Sequence, residues 1–233
     1  MKSRFEKPNT FFRKHTGQEI EVDIVNQELL TAGRFFADVS ESNVEIGGRK
    51  RKFIIKRYHQ PGMAQAAFEK YSIAKKAGLK VFPTFRIGED GRSILMTTGF
   101  LNDQICIDSN SRISLKDLGY PLIEDIGNLQ QFLLNFFDEG LKAGKQGVLT
   151  LFDIFFFILN KENPPKADFV IGDLDNLAQM KISKNLILAN IESIREVLFR
   201  FCERNIHPKF KKRFLGMVDS YYQQALKKAS TNE

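Results

Sequence analysis

One stretch of the chain, Gly147–Asn160 ("GVLTLFDIFFFILN"), limits the folds open to this sequence more than any other. It is a run of mainly aliphatic and aromatic residues in which Asp153 is the single charged residue. A membrane-spanning helix needs roughly 20 apolar residues, so this run is too short to cross a bilayer. We therefore expect a globular protein that buries the run in its core and has a reason to hold one carboxylate there.

The length and composition agree with a globular protein. The chain has 233 residues, of which 42% are hydrophobic and 27% are charged, and these proportions are ordinary for such proteins. Phenylalanine occurs 22 times and tryptophan never, so we expect a core built on phenylalanine. Cys106 and Cys202 lie far apart, which favours reduced thiols. The charged N-terminal segment lacks the apolar stretch of a signal peptide, and the sequence therefore predicts a cytoplasmic protein.

The pattern of apolar residues changes along the chain, and this change predicts two lobes. Up to about residue 101, polar and apolar residues alternate over short segments, with one predicted helix that Gly78 caps and a hairpin at Gly47-Gly48. Beyond the polar stretch 101–114, apolar residues recur at helical spacing. We predict an α+β fold with an antiparallel five-stranded N-lobe that carries one helix (residues 1–101) and a mainly helical C-lobe (residues 102–233).

Two charged residues of the predicted N-lobe are candidates for phosphate binding. Lys56 ends the strand-like segment "FIIK" and shares a strand face with Ile54. Glu69, on the predicted helix, is placed to orient the Lys56 ammonium group. Considered singly, each residue is more simply interpreted as a solvated surface charge.

Two carboxylates follow a second apolar segment, within "DFVIGDLDN". Asp173 ends the strand-like run Phe169–Ile171, and Asp175 comes shortly after it. A carboxylate delivered by a buried strand needs a compensating partner, and Mg²⁺ is a natural one. The alternative interpretation is a polar turn that follows a buried strand.

Taken in order, these features resemble the protein-kinase-like fold. The order is a Gly-containing strand pair, a strand lysine, a helix glutamate, a hinge-like "MTTGF", a helical lobe and an aspartate after an apolar strand. The segments "EKYSIAKKAGLKVFPTFRI" and "RFLGMVDSYY" are similar to elements of the bacterial lipopolysaccharide (Kdo and heptose) kinases and related small-molecule kinases. The resemblance covers roughly Glu28–Tyr222.

The resemblance implies an ATP-dependent phosphotransferase with ATP and Mg²⁺ as cofactors. Lys56 would hold phosphate oxygens and Glu69 would orient Lys56, while Asp173 would bind Mg²⁺ with Asp175 close by. The implied acceptor is a phosphorylated sugar or a glycolipid. A peripheral contact at the inner face of the membrane agrees with this acceptor and with the net charge of +7.

The resemblance also implies where adenine would bind. Ile54 would roof the adenine, although it is bulkier than the small residue usual in the family and narrows the pocket. Gly33 would let the first hairpin approach the phosphates, but a single glycine matches G-x-G-x-x-G poorly. Backbone groups of the hinge-like segment would contact adenine at Met96, Thr97 and Gly99.

The segment expected to form the catalytic loop departs from the family. Its histidine, catalytic aspartate and magnesium-binding asparagine are replaced here by Leu149, Leu151 and Phe156. Asp153 stands two positions away from the expected aspartate. Two hypotheses follow: Asp153 is a relocated catalytic base and a weakened phosphoryl transfer persists, or the protein is a pseudokinase that binds a partner with or without nucleotide.

Two basic segments support a third hypothesis of another class, an electrostatic binder. They are "GGRKRK" (residues 47–52) and "HPKFKKRF" (residues 207–214), and such patches can bind phosphates of nucleic acid or lipid. A hairpin turn and the polar face of an amphipathic helix are the simpler interpretations. The sequence favours a membrane surface over nucleic acid as the partner, and it gives no oligomeric state.

Overall fold

The computed structural model describes residues 10–13, 19–34, 37–46, 49–87, 91–97, 104–109 and 114–231. The chain forms two compact units, which are residues 1–72 with 82–99 and residues 73–81 with 100–233. It is a mixed α/β protein with four helices in its described part and strands that pair antiparallel in their sheets. None of the described helices is long and apolar enough to cross a membrane.

The first unit contains a closed barrel of antiparallel strands. The strands in chain order are β1 Thr10–Arg13, β2 Glu19–Arg34, β3 Ala37–Ile46, β4 Arg49–Tyr58, β5 Thr84–Ile87 and β6 Ser93–Thr97. Around the barrel their order is β1-β2-β3-β4-β6-β5, and β5 pairs back to β1. On β4, Phe53 and Ile55 are buried while Ile54 and Lys56 are half-buried, so the two faces of this strand differ.

The prediction of five strands in the N-lobe is corrected to six within the described residues. The strand that sequence reasoning missed is β1, whose four residues "TFFR" show no alternation. It pairs with β2 through Phe11 and Glu21 and with β5 through Phe12 and Ile87, so it depends on partners distant in sequence. The predicted hairpin turn at Gly47-Gly48 lies outside the described residues, between strands β3 and β4 that pair antiparallel.

Helix α1 (Met63–Lys76) is the helix predicted between the strands, and the glycine predicted to cap it, Gly78, lies two residues beyond its end. Gly78 has a φ of +70°, which glycine adopts without steric cost. The Gly78 N–H donates to the carbonyl of Lys75, and the Leu79 N–H donates to the carbonyl of Ala74, both at 3.0 Å. These two bonds satisfy carbonyls that the end of a helix leaves open.

The second unit combines three helices with five short strands in its described part. The strands are β7 Gln104–Asp108, β8 Val148–Thr150, β9 Phe155–Asn160, β10 Ala167–Ile171 and β11 Leu177–Gln179. The helices are α2 Leu129–Lys145, α3 Lys184–Asn205 and α4 Pro208–Ser230, and a single 3-10 turn spans Leu174–Asn176. β10, β9 and β7 form one sheet in that order, and β8 with β11 forms a separate two-stranded ribbon. The sequence predicted the helices, whereas β7 lies in the polar stretch expected to be a boundary.

Phenylalanine rings form the core of the second unit. The ring centroid of Phe136 on α2 lies 4.8 Å from that of Phe155 and 5.6 Å from that of Phe157. It lies 4.5 Å from the ring centroid of Phe169 on β10. Phe157 and Phe169 are direct partners in the β9–β10 pairing. A slip of one residue would turn these rings to the opposite face, so the cluster fixes the register of both strands.

Helices α2 and α3 pack closely because α2 presents glycine at the contact. A Cβ atom at Gly140 would lie 2.5 Å from Cδ1 of Ile194. A Cβ atom at Gly144 would lie 2.7 Å from the Cα atom of Ile187. The second contact is with backbone, which cannot rotate away as a side chain can, so Gly144 sets how near the two helices lie.

We expect the substitution Gly144→Ala to lower the free energy of unfolding by about 1–3 kcal/mol, because the added methyl group overpacks this contact. The matched control is Gly216→Ala on α4, where an added Cβ atom has nothing within 4 Å. The control should raise stability by about 0.5–1 kcal/mol through helix propensity. Urea unfolding of both variants measures the difference, and equal effects would contradict the close packing.

Candidate active site

The turn between β8 and β9 (residues 151–154) lies beside the segment that follows β10 (residues 172–176). The carbonyl oxygen of Ile154 accepts hydrogen bonds from the N–H groups of Gly172 at 2.9 Å and Asp173 at 3.3 Å. Because β9 and β10 run antiparallel, the start of one strand meets the end of the other. Two of the residues singled out from the sequence, Asp153 and Asp173, therefore lie at the same end of the β9–β10 strand pair.

The carboxylate of Asp153 is half-buried, and its two oxygen atoms differ in their hydrogen bonding. Its Oδ2 atom accepts a hydrogen bond from Nδ2 of Asn176 at 2.8 Å, whereas its buried Oδ1 atom has no hydrogen-bond partner in the described part of the chain. Loss of hydration raises the pKa of Asp153 above its ordinary range, a backbone hydrogen bond lowers it, and the charge of Asp173 raises it further. A buried oxygen without a donor is costly, and a substrate hydroxyl or a metal ion would satisfy it.

A cation and a serine complete the surroundings of this turn. The charge of Arg200 on α3 lowers the pKa of Asp153 in part, and its guanidinium carbon lies 4.4 Å from the ring centroid of Phe152. Arg200 is also paired with Glu196, Nε to Oε1, at 2.8 Å. The Ser109 hydroxyl donates to the carbonyl of Phe152 at 2.8 Å. Ser109 thus holds the backbone of this turn, and Arg200 places a positive charge near Asp153.

A buried asparagine on α3 holds the strand that leads into Asp153. Oδ1 of Asn190 accepts from the Thr150 N–H at 2.8 Å and from the Thr150 hydroxyl at 3.1 Å. Its Nδ2 atom donates to the carbonyl of Val148 at 2.8 Å. The side chain therefore supplies β8 with the backbone partners that a wider sheet would provide.

Two acids, Asp173 and Asp175, follow β10. Asp173 and Asp175 are both half-buried and flank the start of the 3-10 turn. In the described residues, no group of three or more His, Cys, Asp or Glu side chains could hold a metal ion. Mg²⁺ commonly binds one or two carboxylates together with phosphate oxygens and water. Binding of Mg²⁺ by Asp173 and Asp175 therefore remains a prediction.

In the first unit, Lys56 lies on the face of β4 against which α1 packs. It pairs across the strands with Ile94 of β6. Ile94 forms one buried cluster with Tyr58 of β4 and with Ala64 and Ala67 of α1. The Nζ atom of Lys56 lies 5.2 Å from the centroid of the Tyr58 ring. Lys56 is thus half-buried beside an aromatic ring rather than extended into solvent.

Glu69, the predicted partner of Lys56, lies on α1, the helix that packs against this face of β4. Glu69 is exposed on α1, and its Oε1 atom accepts a hydrogen bond from Nε2 of Gln65 at 2.7 Å. The orientation of Lys56 by Glu69 therefore remains a prediction.

The predicted adenine-binding residues lie on two neighbouring strands or outside the described residues. Ile54 of β4 is paired with Met96 of β6, and Thr97 ends β6. Gly33 falls in β2, within the irregular pairing between Thr31 and Arg34. Gly99 lies outside the described part, so the contact of these residues with adenine stays a prediction.

The apolar residues at the expected polar positions have different places in the structure. Leu149 lies in β8 and is half-buried, Leu151 follows β8 and is 39% exposed, and Phe156 lies half-buried in β9. The position that sequence spacing assigned to the catalytic aspartate is thus an exposed leucine. The carboxylate that reaches the sheet edge is Asp153, at the centre of the turn.

Sequence reasoning missed three polar residues around Asp153. Asn176 had a signal, since it closes the "DLDN" segment that follows Gly172. Arg200 and Asn190 had none, because each acts only once α3 packs beside the turn and the ribbon.

Comparison with known proteins does not assign this chain to a family. No protein-family model matches the sequence, and no curated protein matches it. Among solved structures, the chain is similar to one described as "ROP18 kinase domain in complex with AMP-PNP and sucrose", with 10% identity and a TM-score of 0.47. That match covers 96% of this chain and 84% of the other. The kinase-like fold expected from the sequence therefore remains a prediction.

Because the pKa of Asp153 is raised, removing its charge should increase the stability of the protein by an amount that depends on pH. The carboxyl group of Asp153 binds a proton more readily in the folded state than in the unfolded state. The free energy of unfolding therefore falls as pH rises from the ordinary aspartate pKa, about 3.9, through the raised value. We expect Asp153→Asn to raise the midpoint of thermal unfolding at neutral pH, and this gain should vanish at pH values below both pKa values.

Asp117 supplies a control of opposite sign. Its Oδ2 atom accepts from the N–H of Ser114 at 2.8 Å and from the Ser114 hydroxyl at 2.7 Å, and these bonds lower the pKa of Asp117. The stability it provides is present above the unfolded pKa and is lost as pH falls. Asp117→Asn should therefore lower the midpoint at neutral pH. A lower neutral midpoint for Asp153→Asn as well would contradict the account of Asp153.

Proposed function

We propose that the protein is an ATP- and Mg²⁺-dependent phosphotransferase with a two-lobed protein-kinase-like fold, in which Asp153 is the catalytic base. The observation that carries this proposal is the buried, unpartnered Oδ1 atom of Asp153 beside the charge of Asp173. A raised pKa brings a carboxylate nearer to the operating pH at which a general base is efficient. The acceptor we propose is the hydroxyl of a phosphorylated sugar or a glycolipid, the substrate class that the sequence resemblance implies.

The residues of the second unit divide the chemistry between them. Asp173 and Asp175 would hold Mg²⁺ together with nucleotide phosphate oxygens, and the ion would neutralise charge on those phosphates. Asn176 holds one oxygen of Asp153, which leaves the other to accept a hydrogen bond from the acceptor hydroxyl. Asp153 would then take the proton as the hydroxyl oxygen attacks the terminal phosphorus of ATP, the bond from that phosphorus to the bridging oxygen breaks, and ADP leaves. Because the carboxylate is already held, little ordering is left for the reaction itself.

The first unit would supply nucleotide-binding groups. Lys56 would bind phosphate oxygens, and its half-buried position on the α1-packed face of β4 supports this role, since a desolvated cation attracts an anion strongly. Glu69 would orient Lys56 by moving from its contact with Gln65. The backbone and side-chain groups that would surround the adenine and phosphates are those of Ile54, Met96, Thr97, Gly99 and Gly33.

The second candidate function is that of a pseudokinase, and a specific observation favours it. Leu151, at the position where the family has its catalytic aspartate, is 39% exposed beside Asp153, and the neighbouring Phe152 is 37% exposed. Such a protein would bind a partner, with or without nucleotide, and transfer no phosphate. The two functions differ in one measurable event, the appearance of a phosphorylated acceptor.

We expect ATP with Mg²⁺ to raise the thermal unfolding midpoint of the wild-type chain. A nucleotide at 100 times its Kd adds about 2.7 kcal/mol of stability. Lys56→Ala and Asp173→Asn should remove this shift, whereas the matched controls Lys75→Ala and Asp138→Asn, both at exposed positions, should retain it. No shift of the wild-type midpoint at millimolar nucleotide would exclude ATP binding and leave partner binding as the function.

Phosphate transfer to a panel of sugars and glycolipids is measured with the same proteins. Asp153→Asn should keep the nucleotide shift and lower the transfer rate by about 10²–10⁴, the usual contribution of a general base. An unchanged rate would exclude Asp153 as the base. Nucleotide binding by the wild type without transfer to any acceptor would favour the pseudokinase.

A further inference from the structure

One end of the second unit exposes aliphatic side chains that the proposed active site does not use. Met180 is 50% exposed and Ile182 is 59% exposed, in the segment that joins β11 to α3. This segment is held in place, since the Met180 N–H donates to the carbonyl of Gly147 at 2.8 Å. A Cβ atom at Gly147 would lie 3.4 Å from Cγ1 of Ile182. The two side chains therefore stand on the turn that follows α2.

The same apolar surface continues along the β8–β11 ribbon. Val148 and Thr150 are buried on the inner face of β8. Leu149 points to the other face, where it pairs with Ala178 of β11, and both are half-buried. Leu151 extends this face past the end of β8. The ribbon thus carries an apolar outer face that runs toward Met180.

Lysines surround this apolar surface. Lys181 and Lys184 are exposed on either side of Ile182. A cavity next to Gln146 is lined by three more lysines, from the ends of α2 and α4. We call the five the basic end: Lys142, Lys145, Lys181, Lys184 and Lys228.

Acidic side chains offset this charge only in part. Nζ of Lys142 lies 2.6 Å from Oε2 of Glu139, and Nζ of Lys228 lies 2.8 Å from Oδ1 of Asp138. Lys145 and Lys181 are exposed and have no acidic partner among the described residues, so the basic end keeps positive charge.

We propose that the basic end binds the surface of an anionic phospholipid bilayer. Met180 and Ile182 would enter the headgroup region, and the lysines would contact lipid phosphates. Apolar insertion and attraction to anionic lipids add to each other in surface-bound proteins. An anionic bilayer therefore complements this surface, because it offers an apolar interior to the aliphatic side chains and phosphates to the surrounding lysines.

Charge and side-chain type argue for a bilayer over two other occupants. A second copy of this chain, docked through the same surface, would bring like-charged lysines together. Single-stranded nucleic acid binds to a basic groove that also offers aromatic rings on which bases stack, whereas Met180 and Ile182 are aliphatic. The bilayer alone of these three matches both the charge and the apolar side chains.

This surface differs from the basic segment of residues 207–214 that the sequence drew attention to. There, Lys211 is bound to Glu203, Nζ to Oε2, at 2.9 Å. Phe210 of that segment is half-buried, whereas Met180 and Ile182 are exposed. The inference does not depend on phosphoryl transfer, so vesicle binding and catalysis can fail separately.

Flotation of the full chain with phosphatidylcholine vesicles, with and without phosphatidylglycerol, tests the proposal. The wild type should float with the anionic vesicles and stay behind with the neutral ones. The double variant Met180→Ser, Ile182→Ser should lose binding about tenfold or more, because two apolar insertions are removed. Its matched control is Leu118→Ser with Tyr120→Ser, a pair that is 46% and 36% exposed elsewhere in the unit and should bind as the wild type does.

Charge is tested in the same assay. Lys145→Glu with Lys181→Glu should reduce binding strongly, whereas Lys209→Glu with Lys212→Glu, exposed on α4, should reduce it little. Thermal unfolding checks that each variant is folded, and the single variant Ile182→Ser replaces the double one if the latter is unfolded.

The proposal would be overturned if the wild type did not bind anionic vesicles or if the Met180 and Ile182 variants bound them fully. It would also be overturned if the two pairs of lysine variants lost binding equally, because that result would indicate diffuse electrostatic attraction. Self-association in sedimentation velocity that the Met180→Ser, Ile182→Ser variant abolishes, without vesicle binding, would assign this surface to a second copy. RNA binding that depends on Lys145 and Lys181, without vesicle binding, would assign it to nucleic acid.

Discussion

The packing of Phe136 against the rings of β9 and β10 is the contact on which the second unit depends. It sets the register of the two strands, because Phe157 and Phe169 must face α2 together. Each buried phenylalanine contributes about 1.5–3 kcal/mol relative to an exposed one, and well-placed ring pairs add about 0.5–1.5 kcal/mol. Such a core can hold a half-buried carboxylate at its edge. Asp153 interrupts the apolar run where the chain turns to enter β9.

A second constraint acts through the helices. Gly144 lets α2 approach the backbone of α3, and Asn190 of α3 then reaches the backbone of β8. The strand that leads into the Asp153 turn is thereby fixed to a helix rather than to a wide sheet. At this turn, Asn176 donates a hydrogen bond to the carboxylate of Asp153. The charges of Asp173 and Arg200 shift the pKa of the same group in opposite directions.

The sequence predicted those parts of the fold whose signals are local. Helical spacing identified the apolar faces of α2 and α3, and Gly78 marked the end of α1. Strand β1 and the β8–β11 ribbon escaped prediction because their short segments are defined by partners distant in the chain. The same holds for Asn190, which is an ordinary helix residue until β8 lies beside it.

In the candidate site, too, the sequence predicted the residues with a local signal and missed those defined by contacts distant in the chain. Asp153 and Asp173 stood out because each is a carboxylate next to an apolar run. Counting positions assigned the catalytic aspartate to Leu151, since spacing along the chain does not show where β8 ends and the turn begins. Arg200 affects Asp153 across a tertiary contact, so no motif contains both residues.

The central claim is that Asp173 and Asp175 hold a metal-bound nucleotide beside Asp153, whose carboxylate is held by Asn176. The most direct measurement is the NMR signal of the Asn176 side-chain amide during titration with ATP and Mn²⁺, which replaces Mg²⁺ as a paramagnetic probe. The account predicts that this signal broadens in the wild type and stays sharp in Asp173→Asn. An Asn176 signal that stays sharp in the wild type at saturating nucleotide and Mn²⁺ would contradict it.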